Sequence, residues 1–338
     1  MKGAAKLRQP LFLCKPGRKI YGKDVDNMKG EGKSKVFTKK TVKRNLQAYS
    51  FLVPNLILFL GCSIYPVLWT IKYVFYQYGG YGTGEPRFVG LDNLARVFRD
   101  EVYWESVIHT FTYGFGKVII IIPLAFFLAF LLNAQKKGNG LAQSIVFLPT
   151  IMSSAVMGLV FYLLFNAYNG EVNKYLMELG IIDQPINWLG KDNAMKTLII
   201  TAVWGGVGNY MVYFIAGIQQ VSEDAIESAR IDGANKLQTI WYIIVPMLGP
   251  ILKIILMLAI TSAFHDITNI MVLTEGGPNN ATMVMSLYGY RFFFPISAGE
   301  SVVPQYGYGA AVSVVSACIT GVVTVIYLKL SKKLDDIY

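Results

Sequence analysis

The sequence predicts an all-α membrane protein of about six transmembrane helices. Three observations carry this: long apolar runs recur along the chain, charges are scarce between them, and basic residues crowd at one end. Of the 338 residues 54% are hydrophobic and only 15% charged, a balance that excludes a large soluble part. A helix needs about twenty apolar residues to cross the hydrocarbon core. The runs that qualify lie near residues 49–75, 107–133, 141–166, 197–217, 248–273 and 307–330. Pro54, Pro66, Pro123 and Pro149 fall in or beside them, and neighbouring helices in a bundle re-satisfy the backbone groups that proline frees.

A net charge of +10 would by itself suggest a nucleic-acid partner, but 14 of the 31 basic residues crowd into residues 1–44, next to the first apolar run. Lipid bilayer, not nucleic acid, is therefore the partner expected. With both termini cytoplasmic, the inner pieces are 1–48, 134–140, 218–247 and 331–338. They hold the basic tail with Lys136, Lys137, Arg230, Lys236, Lys332 and Lys333, while the outer loops hold far fewer cations. The chain thus reads as a basic cytoplasmic tail (1–48), a transmembrane domain (49–330) interrupted by a cytoplasmic loop (218–247), and a short cytoplasmic end (331–338). The tail has few apolar residues and no periodicity, so disorder is expected over 1–44. It either attracts anionic headgroups or only sets orientation.

Several other classes are excluded. Leu11-Phe12-Leu13-Cys14 resembles a lipoprotein cleavage site, but no long apolar run precedes it and Leu13 is too large for its position. Gly30-Glu31-Gly32-Lys33-Ser34 invites a phosphate-loop reading, yet Asn27 stands where the earlier glycine is needed. Any ATP chemistry must come from another chain. Cys14, Cys62 and Cys318 are too dispersed for a disulfide framework or a zinc site, and His109 and His265 are isolated, so no metal or cofactor is expected. No catalytic motif is present.

The inner loop QQVSEDAIESARIDGANKLQTIWYIIVPMLGP (219–250) is too regular for a linker. Ser222 is placed to cap a helix whose first turn carries Glu223 and Asp224, where the helix dipole favours acids. Gly233 can end that helix with positive φ, and a second helix should run from about Asn235 to Pro246. The result is a rigid knob with small residues Ala225, Ser228, Ala229 and Ala234, or else a plain hairpin lying on the membrane surface.

Glu227-Ser228-Ala229-Arg230-Ile231-Asp232-Gly233-Ala234, followed by Pro246, resembles the "EAA" signature of ABC importer permeases, with Ser228 in place of the first alanine. That resemblance implies a coupling helix docked on a cytoplasmic ATPase, with Glu227, Ala229, Asp232, Gly233 and Ala234 at the contact. Leu273-Thr274-Glu275-Gly276-Gly277-Pro278 with Ala281-Thr282 is similar to the L-T-x-G-G-P…T pattern of sugar permeases. So are Phe88-Val89-Gly90-Leu91-Asp92-Asn93 with Trp104 and Thr110, Phe147-Leu148-Pro149, Phe165-Asn166 with Gly170 and Asn173, and Tyr306 through Ala311. The resemblance covers residues 45–338 and points to the branch that includes the larger pore subunit of the maltose importer. The long tail departs from it.

Polar side chains inside a span are costly and face a cavity or a partner. On a continuous fifth helix, Ser262, Asp266 and Asn269 share one face at i, i+4 and i+7. Carboxylate and amide suit sugar hydroxyls, Phe264 offers a ring, and Ala259 and Ala263 leave room. The other reading is interhelical hydrogen bonding, worth about 0.6 kcal/mol on average. In the maltose importer this span holds the sugar, so the resemblance favours the pore. Trp204, Gly206, Gly208, Asn209, Tyr210 and Tyr213 in the fourth span, and Thr150, Ser153 and Ser154 in the third, are further candidates, with helix packing through small residues as the alternative.

The resemblance therefore implies a type I ABC importer permease fold in a bacterial plasma membrane, with no catalytic residue of its own. Its expected partners are a second permease subunit, two copies of a cytoplasmic ABC ATPase, an extracellular solute-binding protein and a sugar or oligosaccharide. Its mechanism would be alternating access. A permease for another solute is the first rival; an oxyanion route should place buried cations in the spans, and none stood out. An ATP-independent secondary transporter or channel would not need the coupling loop, and no inverted repeat is evident.

Overall fold

The computed structural model describes residues 39–80, 82, 84–133, 138–296 and 303–332. Most of the basic tail, with Leu11–Cys14 and Gly30–Ser34, lies outside the described residues, as do Lys136, Lys137 and residues 333–338. The chain divides into two units, the first ending at Ser63 and the second beginning at Ile64.

The first unit contains α1 (Lys39–Phe59), which runs into a π-helical turn at Leu60–Ile64. α1 begins inside the segment read as disordered. Its Lys, Arg, Leu and Gln residues are good helix formers and extend the apolar helix by several turns.

The second unit opens with α2 (Tyr65–Tyr73) and a short antiparallel hairpin, β1 (Tyr76–Gln77) and β2 (Arg87–Phe88). Next come α3 (Asp92–Arg99), α4 (Glu101–Leu132), α5 (Asn139–Ile151), α6 (Ser154–Leu164), α7 (Glu171–Glu178) and α8 (Ala194–Ile218). The loop helices α9 (Glu223–Ile231), α10 (Lys236–Thr239) and α11 (Val245–Met247) lead to α12 (Gly249–Phe264). α13 (Thr268–Leu273), α14 (Met285–Tyr290) and α15 (Tyr306–Ser331) complete the order.

Four stretches are long and apolar enough to cross a membrane: Tyr49–Tyr73, Glu101–Leu132, Ala194–Ile218 and Tyr306–Ser331. Two bent pairs bring the number to as many as six: α5 with α6, bent by 96°, and Lys236–Met247 with Gly249–Phe264, bent by 73°. The third expected span is therefore broken after Ile151. Its Pro149 lies one turn before the break, and Met152 and Ser153 turn extended.

α8 packs along α4 and against α5, α12 lies on α4, α13 on α6, and α15 on α3 and α14. Gly208 permits the α5–α8 approach: a Cβ there would sit 2.5 Å from the Val146 carbonyl oxygen and 2.7 Å from Phe147 Cα. One apolar core gathers Tyr103, Tyr113, Leu198, Ile270 and Leu287 with the start of α15. A second gathers Ile121, Met211, Phe214, Leu248 and Ile255 nearer the inner loop.

Several residues of the family-like motifs pin loops. Asn93 donates to the carbonyls of Val74 (2.9 Å) and Tyr76 (3.0 Å), fastening α3 to the hairpin. Buried Asn173 donates to Ala167 and Ile186 carbonyls and accepts from Ile186 N and Trp188 Nε1, so all its capacity is used. Thr282, fully buried, bonds the Gly277 carbonyl and Thr274 Oγ1, each at 2.8 Å, and so closes the Gly276-Gly277-Pro278 turn.

Asp100 caps α4 through Val102 N (3.1 Å) and Tyr103 N (3.3 Å) and accepts the hydroxyls of Tyr288 (2.5 Å) and Tyr308. Burial pushes its carboxyl up, but these four hydrogen bonds outweigh burial and hold it below the usual carboxylate range. A lowered carboxyl gives stability that is present above its unfolded value, near pH 4, and lost as pH falls through the folded value. Asp100→Asn should lower the melting temperature at pH 7 by the equivalent of about 1–2 kcal/mol. The gap from wild type should narrow below about pH 4; a gap that is constant with pH would refute this role.

Candidate functional site

The inner loop folds as a capped knob. Ser222 Oγ accepts from Ala225 N at 3.4 Å and starts α9, and Asn235 and Gln238 form a reciprocal capping box (2.9 and 2.8 Å) that starts α10. Gly233, at φ 85°, ends α9: Gly233 N bonds the Arg230 carbonyl (3.1 Å) and Ala234 N the Ala229 carbonyl (2.9 Å). This pair of bonds is the Schellman pattern, so the Asp-Gly-Ala spacing has a backbone cause. Beyond α10 a π-helical turn at Ile240–Ile244 carries the chain to the elbow at Leu248.

Glu227, Asp232 and Gly233 are exposed, Ala234 is half-buried, and Glu227 lines a shallow cleft with Glu223, Ile226, Arg230 and Ile231. Ile231 is 80% exposed, an apolar side chain held out on the knob. Ala229 corrects an expectation. It is buried, on the face of α9 turned toward the rest of the chain, and is unavailable to a partner in this arrangement. Gly233→Val should strain the left-handed position by about 1 kcal/mol or more and re-aim the knob. Nothing lies within 4 Å of a Cβ there, so the effect is on the backbone alone. Uptake should drop severalfold in a complex that still inserts and binds nucleotide; wild-type uptake would contradict it.

The second feature is a cavity of about 340 Å³ between α4, α5, α6, α8 and the end of α12. Lys117, Thr150, Ser154, Ser262, Asp266 and Asn269 supply most of its polar wall. Six expected pore residues, Thr150, Ser154, Gly206, Ser262, Asp266 and Asn269, thus meet in one place, but not on one helix. α12 stops at Phe264, His265–Ile267 form a break, and Asn269 lies on α13. The carbonyl of Ser262 still receives His265 N (3.3 Å), and Thr261 O meets His265 Nδ1 (2.9 Å), so local bonds replace the lost helical ones.

Asp266 is the hub of the break. Its Oδ2 accepts from Lys117 Nζ (2.8 Å) and Tyr113 hydroxyl (2.6 Å), and Asn269 Nδ2 reaches Oδ1 at 2.9 Å. The side chains of Lys117 and Asp266 are only 6% and 11% exposed. Sequence reading missed Lys117, a lone cation in the apolar run 107–133, and with it a buried cation that bears on the oxyanion rival. The signal was present: one charge inside each of two spans is a pair to be suspected. Asn269, 9% exposed, keeps Oδ1 buried without a partner among the described residues. The contacts of Nδ2 with the carboxylate fix the amide's orientation, so the spare group is an acceptor.

The remaining candidates lie elsewhere. Phe264 packs edge-on against Phe111, centroids 5.2 Å apart, with its ring over Gly114, so it belongs to the core rather than the cavity wall. Tyr210 is buried within hydrogen-bonding reach of Ser262 and does not line the cavity. Asn209 is half-buried on α8 and does not line the cavity. Thr150 is on the cavity wall, and its Oγ1 also donates to the Gly205 carbonyl (3.1 Å), fastening α5 to α8.

Residues 121–336 match the family described as the binding-protein-dependent transport system inner membrane component. Among similar proteins, the probable ABC transporter permease protein YesP of Bacillus subtilis is 32% identical, covering 90% of this chain and 96% of that protein. The lactose transport system permease protein LacF of Rhizobium radiobacter is 31% identical over 85% of this chain and 95% of its own length. The trehalose/maltose transport system permease protein MalF of Thermococcus litoralis is 30% identical over 84% and 93%. The fold matches a crystal structure of a bacterial ABC transporter involved in import of the acidic polysaccharide alginate, with TM-score 0.74 and 21% identity, covering 87% of this chain and 98% of that one. The chain belongs to the family of binding-protein-dependent transport system inner membrane components and is a multi-pass permease subunit of an ABC importer, not itself an enzyme.

Proposed function

We propose that this permease carries a neutral sugar or oligosaccharide, with the cavity around Asp266 as part of its path. The observation that carries the reading is the cavity's composition: hydroxyls of Ser154, Ser262 and Thr150 beside a carboxylate already balanced by Lys117. Neutral donors and acceptors in a small concave site suit a polyhydroxylated solute. The names of relatives that carry lactose, and trehalose or maltose, support the same class.

The chain works with a second permease subunit, two copies of a cytoplasmic ABC ATPase and an extracellular solute-binding protein. Both termini and the 218–247 loop face the cytoplasm, with 49–330 spanning the membrane. Closure of the ATPases pushes on the knob through Glu227 and its neighbours and rocks the helices that carry α12; hydrolysis resets them. Lys117 gives the oxyanion rival one observation in its favour, but its charge is committed to Asp266 at 2.8 Å. The test is calorimetry on a solute-binding protein that docks on this complex, followed by its effect on ATP hydrolysis. A saccharide ligand whose loaded binding protein stimulates ATP hydrolysis is expected. An amino acid or oxyanion ligand would overturn the reading.

A further inference from the structure

We propose that Lys117 sets the charge class of the transported solute. By cancelling Asp266 inside the cavity, it selects neutral saccharides against acidic and aminated ones. This rests on the sugar reading above and adds a residue and a selectivity to it.

The residues lining the cavity include one cation and one anion, Lys117 and Asp266; Thr150, Ser154, Ser262 and Asn269 are neutral. His265, the other titratable group on the wall, is turned to the Thr261 carbonyl through Nδ1. The two charges come from different elements, α4 and the break before α13, and are held together at 2.8 Å with side chains about nine-tenths buried. Tyr113 and Asn269 bond the same carboxylate, so most of its capacity is spent within the protein. A solute therefore meets a wall whose one cation and one anion cancel and which also offers the hydroxyls of Thr150, Ser154 and Ser262. A charged solute would bring an unbalanced charge beside a charge pair that is itself about nine-tenths buried, where Coulomb terms are larger than in bulk water. Removing one partner reverses the preference, because the charge left behind then attracts its opposite.

The competing role is a fastener alone, tying α4 to the break. The two roles separate in the ranking of ligands. The purified importer complex in lipid nanodiscs, without its binding protein, is titrated with three forms of one oligosaccharide backbone: neutral, uronic-acid and aminated. Wild type should bind the neutral form best. Asp266→Asn should shift the uronate-to-neutral affinity ratio upward on the order of tenfold or more, and Lys117→Met should shift the aminated-to-neutral ratio likewise.

The double variant Lys117→Met with Asp266→Asn buries no unpaired charge. It should return the neutral form to first rank while binding all three more weakly, and it keeps the test open if a single variant folds poorly. Single variants that retain the wild-type ranking, or a folded double variant that ranks a charged form first, would overturn the proposal and leave the pair a fastener. Wild type that binds none of the three would instead refute the sugar reading.

Discussion

Asp266→Ala is expected to abolish uptake and to destabilise the subunit by about 3–5 kcal/mol, because it strands a buried cation. Lys117, with its side chain 6% exposed, loses its counter-charge, and Tyr113 hydroxyl and Asn269 Nδ2 lose their acceptor in the same step. Most of the penalty belongs to the orphaned ammonium rather than to the lost contact. Adding Lys117→Met in the same chain should therefore recover much of the melting temperature while uptake stays low. Melting of the purified complex and uptake in vesicles measure the two halves separately. If Asp266→Ala transports normally, Asp266 returns to being a packing group.

Glu227→Lys should nearly eliminate substrate uptake while leaving assembly, nucleotide binding and the fold intact. The residue is exposed on α9 and shares its shallow cleft with Glu223 and Arg230, so a reversed charge alters the contact surface without disturbing a core. Surface substitutions of this kind change stability by less than about 0.5 kcal/mol, so a transport defect would lie in the docking and not in folding. ATP hydrolysis by the complex should persist but no longer respond to the loaded binding protein. Normal uptake by this variant would remove the coupling role from the knob.

Periodicity and hydropathy made the spans legible, since a run such as 197–217 has no other stable home than a membrane or a buried bundle. The caps were legible too. Ser222 and Gly233 are local chemistry, and the structure uses both as the sequence suggests. What stayed hidden depends on contacts between distant segments. The break at His265–Ile267 carries no strong local breaker, and Pro149 alone did not reveal that the chain would bend by 96° after Ile151. A continuous helix through Asn269 was therefore the natural expectation. The break is held from α4, by Lys117 and Tyr113 gripping Asp266 across 149 and 153 residues of sequence, a pairing no local pattern displays.

Phe264 and Ala229 failed for a related reason. A residue's place in a motif says that it matters, but not which way it points. Phe264 was an aromatic ring beside polar neighbours, and the ring turned to Phe111. Ala229 sat within the coupling signature, yet it supports the knob from below through its carbonyl, which receives Ala234 N. The motif residues that the structure explains best, Asn93, Asn173 and Thr282, hold loops in shape and touch no cavity described above.

This chain is proposed to move a saccharide with energy taken from a separate ATPase. That is tested most directly by reconstituting the permease pair, ATPase and binding protein in proteoliposomes and following labelled saccharide inward. Accumulation should require ATP, the ATPase and the binding protein together. Uptake that proceeds without ATP or without the ATPase would contradict it.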